Sequence, residues 1–481
     1  MSYETVIGLE IHAQLRTQTK IFCGCSTEFG ATPNSQVCPV CLGLPGALPV
    51  LNRHAVDLAI KAALALGCEI QDLSIFARKN YFYPDLPKGY QISQYEQPLA
   101  LKGLVRFDVS GHSRSVGITR VHMEEDAGKS LHEGFSSSEF CTYLDFNRSG
   151  VPLVEIVTEP EMRSSDEAAA FFTWLRDMLV WLGVNDGNME EGSLRCDANV
   201  SIRPVGQSSL GTKVEVKNIN SFRYLQKALN YEVDRQIDVV DKGEAIQQET
   251  RLWDSAGSRT LSMRSKEEAH DYRYFPEPDL PPLVTDTERV AAVRATMPEL
   301  PDARRLRFIK EYGIPEYDAG VLTQTVELAD YFEETVAAGV SGKGASNWIM
   351  GELLRIIKEN NVEIGSVSLK PNALAGLIAL IEKGVISSST AKDVFGKMYE
   401  SNQPASEIVE REGLAQIGDK ESLHKIVCKT IDANADAVTQ YQAGKHVALG
   451  FLIGQVMKAS QGKANPKLVN ELLKEELGKN F

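Results

Sequence analysis

Val6-Ile7-Gly8-Leu9-Glu10-Ile11-His12-Ala13-Gln14-Leu15 is the stretch from which the fold is read. Ile7, Leu9, Ile11 and Leu15 share one parity, and Glu10, His12 and Gln14 share the other. Successive side chains of a strand project to opposite faces, so the run predicts a strand with one apolar and one polar face. The habit recurs in Leu194, Cys196, Ala198, Val200 and Ile202 against Arg195, Asp197, Asn199, Ser201 and Arg203. It recurs again in Val214 and Val216 against Lys213, Glu215 and Lys217. Such strands side by side make a sheet whose apolar face must be covered and whose charged face is free for chemistry.

Two helices are predicted between these strands. Ser164-Ser165-Asp166-Glu167 is a capping box ahead of Ala168 to Leu182, with Gly183 as its stop. Ser221 opens a second helix that ends near Gly243. Helices inserted among alternating strands suggest an α+β layer, with helices against an antiparallel or mixed sheet. Near Pro298 and Pro301 the alternation stops, and Trp348, Ile349, Leu353, Ile356 and Ile357 follow helical spacing. Ser401-Asn402-Gln403-Pro404-Ala405 reads as a second linker, ahead of a small helical tail with glycines at 444, 450, 454 and 462. The expected domains are 1–293, 294–403 and 404–481.

At 481 residues, each of several domains can bury its own core. Apolar residues make up 43% and charged residues 24%, and no run of eighteen apolar residues occurs. The opening MSYETVIGLE lacks the basic-then-apolar order of a signal peptide, so a cytoplasmic protein is expected. The net charge of −14 argues against non-specific binding of phosphate backbones, which relies on Lys and Arg. From 441 to 481, however, six Lys face three Glu, a locally basic segment.

Cys23-x-Cys25 and Cys38-x-x-Cys41 crowd one short segment. Two close pairs can wrap one tetrahedral Zn²⁺ in four thiolates, a closed and therefore structural site. Four ordinary thiols near the surface are the alternative. Cys68, Cys141, Cys196 and Cys428 have no nucleophile signature around them, and each reads as a small core residue.

The acidic positions carry more. His122-Met123-Glu124-Glu125-Asp126 follows an apparent strand, and Glu155 stands inside the apolar run Val151 to Val157, where a carboxylate needs a partner. Glu190 and Glu191 lead into the strand of Arg195 and Asp197. Carboxylates and imidazoles from several strands on one face suit Mg²⁺ carrying nucleotide phosphates, and Arg and Lys there suit a transferring phosphoryl group. A solvated face laced with ion pairs is the alternative for any single strand. Glu124 shares parity with His122 whereas Glu125 does not, so Glu125 as a ligand requires the strand to bulge or end.

Ala127-Gly128-Lys129-Ser130 is no phosphate-binding loop, because Met123 stands where its first glycine belongs and acidic residues fill the gap. No dinucleotide fingerprint occurs. Between Lys79 and Tyr90 the aromatics Tyr81, Phe82, Tyr83 and Tyr90 interleave with Lys79, Lys88 and two prolines. Stacking on a base and packing in a core both remain open for them.

Several long strings together resemble the GatB family, the B subunits of aspartyl/glutamyl-tRNA amidotransferases. They are Gly8 to His12, Tyr81 to Asp85, Tyr90 to Gln94, His122 to Ser130, Met189 to Asn199, Val216 to Asn218, and Asp271 to Asp279. The resemblance covers the whole chain. It implies an α+β, glutamine-synthetase-like cradle with a mainly antiparallel sheet, an all-helical domain and a small helical tail that holds tRNA. It also implies a carbon–nitrogen ligase, which uses ATP and Mg²⁺ to phosphorylate the side-chain carboxylate of Glu on tRNA(Gln) or Asp on tRNA(Asn). Ammonia, released from glutamine by the amidase (the A subunit of such an assembly), then displaces phosphate. A small C subunit completes the implied heterotrimer.

On this chain the resemblance assigns Glu10, His12, Glu125 and Glu155 to the metal region, with Glu124, Glu190 and Arg195 in the same pocket. Lys79, Tyr81, Tyr83, Lys88 and Tyr90 would approach the nucleotide or the acceptor end of tRNA. Gly450, Gly454, Lys458, Lys463 and Lys467 would meet the tRNA body. Zinc on Cys23, Cys25, Cys38 and Cys41 would be structural.

Two other readings compete. A zinc-stabilised tRNA adaptor conflicts with the carboxylate surplus on the sheet face, since a phosphate dock should be basic. A free-standing synthetase rests only on Leu261 to Lys266, a loop-like string whose His-containing companion is absent.

Overall fold

The computed structural model describes residues 2–132, 140–265, 272–416, 420–460 and 463–478. Lys266, Asp271 and Gly462, named above, lie outside the described residues. Two compact units divide the chain, Met1–Leu300 and Pro301–Phe481.

The opening run becomes β1 (Tyr3–Gln14), and eight further strands join it: β2 (Glu69–Ile70), β3 (Ala100–Val109), β4 (His112–Glu125), β5 (Pro152–Thr158), β6 (Leu194–Pro204), β7 (Val214–Ile219), β8 (Glu249–Asp254) and β9 (Arg259–Ser265). Their order across the sheet is β9-β8-β7-β6-β1-β5-β4-β3-β2. Only β7 and β8 run parallel; the other neighbours are antiparallel. β1 sits between β5 and β6, both distant in sequence, so the centre of the sheet joins three separated segments.

The predicted parity holds in β1. Ile7, Leu9, Ile11 and Ala13 are fully buried, while Glu10, His12 and Gln14 are half-buried on the opposite face. Three helices cover the apolar face: α1 (Arg53–Ala65), α2 (Ser165–Trp181) and α3 (Phe222–Asp241). Val56, Ala59 and Ile60 of α1, Phe171, Phe172 and Leu175 of α2, and Leu225, Ala228 and Leu229 of α3 share one core with the strands. A fourth helix, α4 (Thr287–Ala295), adds Val293 to it. Ser164 caps α2 by accepting from the Glu167 N–H at 3.1 Å, and Gly183 follows with φ +66°. Glu167 returns a bond to the N–H of Arg163, one residue outside the expected box. Ser221 caps α3 through the Tyr224 N–H at 3.1 Å.

The charged face is not open at its centre. A small antiparallel sheet of Phe76–Asn80, Tyr90–Gln94 and Phe275–Pro276 lies over it. Ser93 and Gln94 of this sheet bond to Glu124 and to the Met123 N–H of β4. Val121 through Asp126 are therefore buried on both faces, which the alternation alone does not reveal.

The second unit is largely helical. Its helices are α5 (Pro301–Tyr312), α6 (Glu316–Leu322), α7 (Val326–Ala337), α8 (Gly342–Trp348), α9 (Leu354–Asn360), α10 (Pro371–Glu382), α11 (Ser388–Ser401) and α12 (Ala405–Arg411). Four more follow, α13 (Lys420–Ala433), α14 (Ala435–Gln442), α15 (Val447–Ala459) and α16 (Pro466–Gly478). Ile349 to Leu353 form a π-helical turn between α8 and α9, with Ile349, Leu353 and Ile356 buried. The stretch Ser401–Ala405 is a tight corner, with Asn402 left-handed at φ +56° and α12 packed on α10 and α11. Leu423, Val427, Leu452, Val456, Val469, Leu472 and Leu473 form a core within α13 to α16.

Candidate functional site

Strand register builds the centre of the site. His122 of β4, Glu155 of β5, His12 of β1 and Arg195 of β6 pair in one transverse row. Arg120, Val157, Glu10 and Asp197 form the row beside it. Glu155 Oε2 lies 3.3 Å from His12 Nε2 and 3.3 Å from His122 Nε2. Glu124 approaches the same two imidazoles at 3.6 and 3.9 Å. One donor atom from each of His12, Glu124 and Glu155 lies within 4.8 Å of the others. The Nδ1 of His122 is buried without a hydrogen-bond partner among the described residues.

The electrostatics are cooperative. Burial lowers the pKa of His12, but the Glu155 and Glu124 carboxylates outweigh it and hold the imidazole up at about 9. Burial raises Glu155, yet His122 and His12 outweigh it and keep the carboxyl well below its usual range. Lys79 reaches this cluster from the small sheet. Burial disfavours its charge, and Glu124, Tyr274 and Glu155 together more than restore it, so its pKa is raised. Two carboxylates beside an imidazole form a hard, oxygen-rich donor set, the kind that suits a divalent cation.

Cations flank the acids. Arg195 donates to Asp126 at 3.0 Å, and Gln14 donates to the other oxygen of Asp126 at 2.9 Å. Burial raises the Asp126 pKa, but Arg195 and Arg148 bring it below its ordinary value. Lys217 contacts Asp197 at 2.8 Å and Glu215 at 3.5 Å. Glu10 accepts from Asn199 at 2.7 Å. Asn218, held at φ +65°, donates to the Trp253 carbonyl beside the shift in register between β6 and β7.

Glu125 stands apart from that cluster. β4 ends at Glu125, which still pairs with Pro152 without a bulge and so keeps the opposite parity. Its carboxylate pairs with Lys88 and accepts from the Ile92 N–H at 2.8 Å. Both Lys88 and Glu125 line a cavity of about 120 Å³ with Cys23, Cys41, Lys20 and Gly150. Glu190 is exposed on the loop before β6, where its N–H donates to Asn188 at 3.0 Å.

The four sulfurs of Cys23, Cys25, Cys38 and Cys41 converge within 4.8 Å and could hold one ion. Hydrogen bonding from Cys23, together with the Cys38 backbone and the nearby charge of Lys20, lowers the Cys41 thiol, while Cys23 is pushed up. Lys20 is fully buried and donates to the carbonyls of Gln36 and Phe146 at 2.8 and 3.2 Å. Those bonds tie the cysteine loops to the segment before β5.

Along Lys79 to Tyr90 some of the aromatics are packed and others are exposed. Tyr81 donates to Gln91 at 3.0 Å and lies edge-on to Tyr83 and Tyr272. Phe82 is 86% exposed. The Lys88 amine lies 5.3 Å and the Arg78 guanidinium 4.2 Å from the centre of the Tyr90 ring, so Tyr90 is held by cations. In the second unit, Gly450, Gly454 and Lys458 share a face of α15 at helical spacing, and with Lys463 and Lys467 all are exposed.

The isolated cysteines divide. Cys68 and Cys196 are buried as expected, but Cys141 is exposed beside Phe140 and Cys428 is half-buried next to His424. Neither of the latter lies on the apolar parity of a sheet strand, so the core expectation had no packing to rest on. Sequence reasoning also left His122, Asp126 and Lys217 out of the chosen site residues. Each lies on or beside a strand that carries a chosen residue, and shared parity with Glu124 was the available signal for His122.

Comparison with known proteins is decisive about kinship. The family described as "GatB/GatE catalytic domain" matches residues 5–291, and the "GatB domain" family matches residues 330–477. A protein of Carboxydothermus hydrogenoformans, named as the B subunit of aspartyl/glutamyl-tRNA(Asn/Gln) amidotransferase, is 55% identical over 477 residues, spanning 99% of each chain. Proteins of the same name from Thermodesulfovibrio yellowstonii and Geobacter sulfurreducens are 55% and 54% identical, covering 98% and 99% of this chain and 99% and 100% of their own lengths.

Proposed function

From the premise that the chain belongs to the GatB family of amidotransferase B subunits, we infer that it is the B subunit of an aspartyl/glutamyl-tRNA(Asn/Gln) amidotransferase. As a ligase it forms the side-chain amide on misacylated tRNA, yielding Gln-tRNA(Gln), Asn-tRNA(Asn) or both. The observation that carries this reading is identity of 55% along essentially the whole of both chains. The acid–imidazole cluster gives it chemical support.

In this reading ATP phosphorylates the side-chain carboxylate of the tRNA-borne Glu or Asp, and ammonia then displaces phosphate. A carboxylate is a poor acyl donor, and the acyl phosphate supplies the leaving group. His12, Glu124 and Glu155 fit a magnesium ion by donor chemistry, with Glu10 one register row away. When bound, the ion neutralises phosphate charge. Arg195 and Lys217 flank the same face, and Lys79 stands over it, placing fixed positive charge where a phosphoryl group transfers. The small overlying sheet helps bury Glu124, and limiting the access of water there would protect an acyl phosphate from hydrolysis. Glu125, paired with Lys88, acts beside this cluster rather than within it.

The remaining assignments belong to the same proposal. Residues 1–293 form a glutamine-synthetase-like cradle, with zinc on the four cysteines stabilising its N-terminal loops. The helical region up to 403 follows, and the tail meets the tRNA body through Gly450, Gly454, Lys458, Lys463 and Lys467. The separate core of α13 to α16 supports a distinct tail unit. Lys79, Tyr81, Tyr83, Lys88 and Tyr90 face the acceptor end or nucleotide, and Glu190 stands at the rim. A glutaminase, the A subunit, supplies ammonia, a small C subunit completes a heterotrimer, and the assembly is cytoplasmic. Among the described residues no helix is long and apolar enough to cross a membrane.

The test is reconstitution of the chain with its A and C partners, followed by incubation with Glu-tRNA(Gln), ATP and glutamine. Formation of Gln-tRNA(Gln) only when ATP and this chain are both present supports the reading. Equal product without the chain, or without ATP, contradicts it.

A further inference from the structure

A third group of metal-type donors lies far along the chain from the sheet, half-buried on the bundle of α13 to α16. His424 and Cys428 stand one helical turn apart on α13, so both side chains leave the same face. Glu476 comes from the last turn of α16. His424 Nε2 lies 2.9 Å from Glu476 Oε1. The Cys428 sulfur lies 3.6 Å from Nδ1 and 3.8 Å from Nε2 of the same imidazole. One donor atom from each residue lies within 4.8 Å of the others.

A helix-to-helix hydrogen bond accounts for His424 and Glu476 alone. The one-turn spacing on α13 adds the Cys428 thiol against the same ring. Donors around a tetrahedral zinc, at about 2.0–2.3 Å from the ion, stand roughly 3–4 Å from one another. The sulfur–nitrogen and nitrogen–oxygen separations here fall in or just below that range. Thiolate, imidazole and carboxylate together favour zinc over magnesium or calcium, which take oxygen donors.

We propose that His424, Cys428 and Glu476 form a zinc site that clasps the first helix of this bundle to the last. Three protein donors leave a fourth position open. His424 also lines an open cleft of about 340 Å³ with Lys420, Glu421, Lys425, Leu472 and Glu475. The clasp lies on the bundle core, where Leu423 and Val427 of α13 meet Val469, Leu472, Leu473 and Leu477 of α16. It closes a loop of about fifty residues, and cross-links over long loops constrain the unfolded chain most. This site is separate from the four-cysteine cluster and from the acid–imidazole cluster.

The experiment titrates the metal-stripped, reduced full chain with Zn²⁺ against a chromophoric chelator, for the native sequence and for Cys428→Ser, His424→Gln and Glu476→Gln. The proposal expects each of the first two variants to take up one equivalent fewer than the native chain. Glu476→Gln should bind that equivalent at least tenfold more weakly. Zinc should also raise the melting temperature of the tail helices in the native chain and not in Cys428→Ser. The four-cysteine cluster is untouched in every variant, and its retained equivalent, with an unchanged circular dichroism spectrum, shows that the chain is folded. Unchanged stoichiometry in Cys428→Ser or His424→Gln overturns the proposal. So does a loss confined to Cys428→Ser, which marks adventitious binding to one thiol.

Discussion

Replacing Glu155 by Gln perturbs the centre of the site with little change of shape. Glu155 is the nearer of the two carboxylates that hold His12 protonated, at 3.3 Å against 3.6 Å for Glu124. In the magnesium-free protein the His12 pKa rises from 6.5 to about 9. At about 1.4 kcal/mol per unit, that is a contribution of about 3 kcal/mol to stability. The side chain is 20% exposed, so solvent screens only part of it. Below pH 6.5 folded and unfolded chains both hold the proton, and the whole contribution is present. Between 6.5 and 9 the unfolded chain gives the proton up first, and stability falls by up to about 1.4 kcal/mol per pH unit; above 9 the contribution is gone. The assay is urea unfolding of the zinc-loaded, magnesium-free chain from pH 6 to 9.5, read by tryptophan fluorescence. Glu155→Gln removes the larger attraction, so the native-minus-variant stability difference should shrink as pH rises through that window, by about 2 kcal/mol in all. A difference that stays flat, or grows with pH, refutes the coupling of His12 to Glu155.

Three further outcomes follow from other parts of the molecule. Gly103→Ala places a Cβ 2.6 Å from the Leu66 carbonyl oxygen and 2.5 Å from the Cys68 sulfur, and should cost about 1–3 kcal/mol in the urea midpoint. No loss would mean that α1 and β3 pack more loosely than described. Changing Cys23 and Cys25 together to Ser leaves too few sulfurs for a closed site, and should lower the melting temperature by about 5–10 °C. Phosphoryl transfer by the protein still folded should persist, and its loss without loss of fold would make the ion a participant in the reaction. Arg304→Met removes a buried guanidinium from Glu333 and Asp330, but Asp330 is exposed and Glu333 keeps Arg307 at 2.6 Å, so the second unit should lose only about 1–2 kcal/mol in calorimetry.

The sheet was legible because its strands obey a strict period. Ile7, Leu9 and Ile11 must be buried together, and a slip of one residue would expose all three. The helices were legible at their ends, where Ser164, Ser221 and Gly183 do what their chemistry requires. The covering of the charged face was not legible. It depends on Phe76–Asn80, Tyr90–Gln94 and Phe275–Pro276 meeting across nearly two hundred residues, and no local pattern encodes that pairing. The site shows the same division. Parity alone separates Glu124 from Glu125, and β4 keeps that separation to its last residue. Which cation each acid meets is a tertiary fact: Lys88 reaches Glu125 and Arg195 reaches Asp126 because distant strands come into register.

The central claim is that His12, Glu124 and Glu155 form the centre for phosphorylation of the tRNA-borne carboxylate. Its most direct measurement is label transfer from γ-labelled ATP in the assembled enzyme, with Glu-tRNA(Gln) present and glutamine withheld, comparing native protein with Glu155→Gln. The native enzyme should move label from ATP onto the tRNA-borne carboxylate, and the variant, folded and still binding tRNA, should fall at least about 100-fold. A Glu155→Gln enzyme that transfers label at the native rate would contradict the assignment.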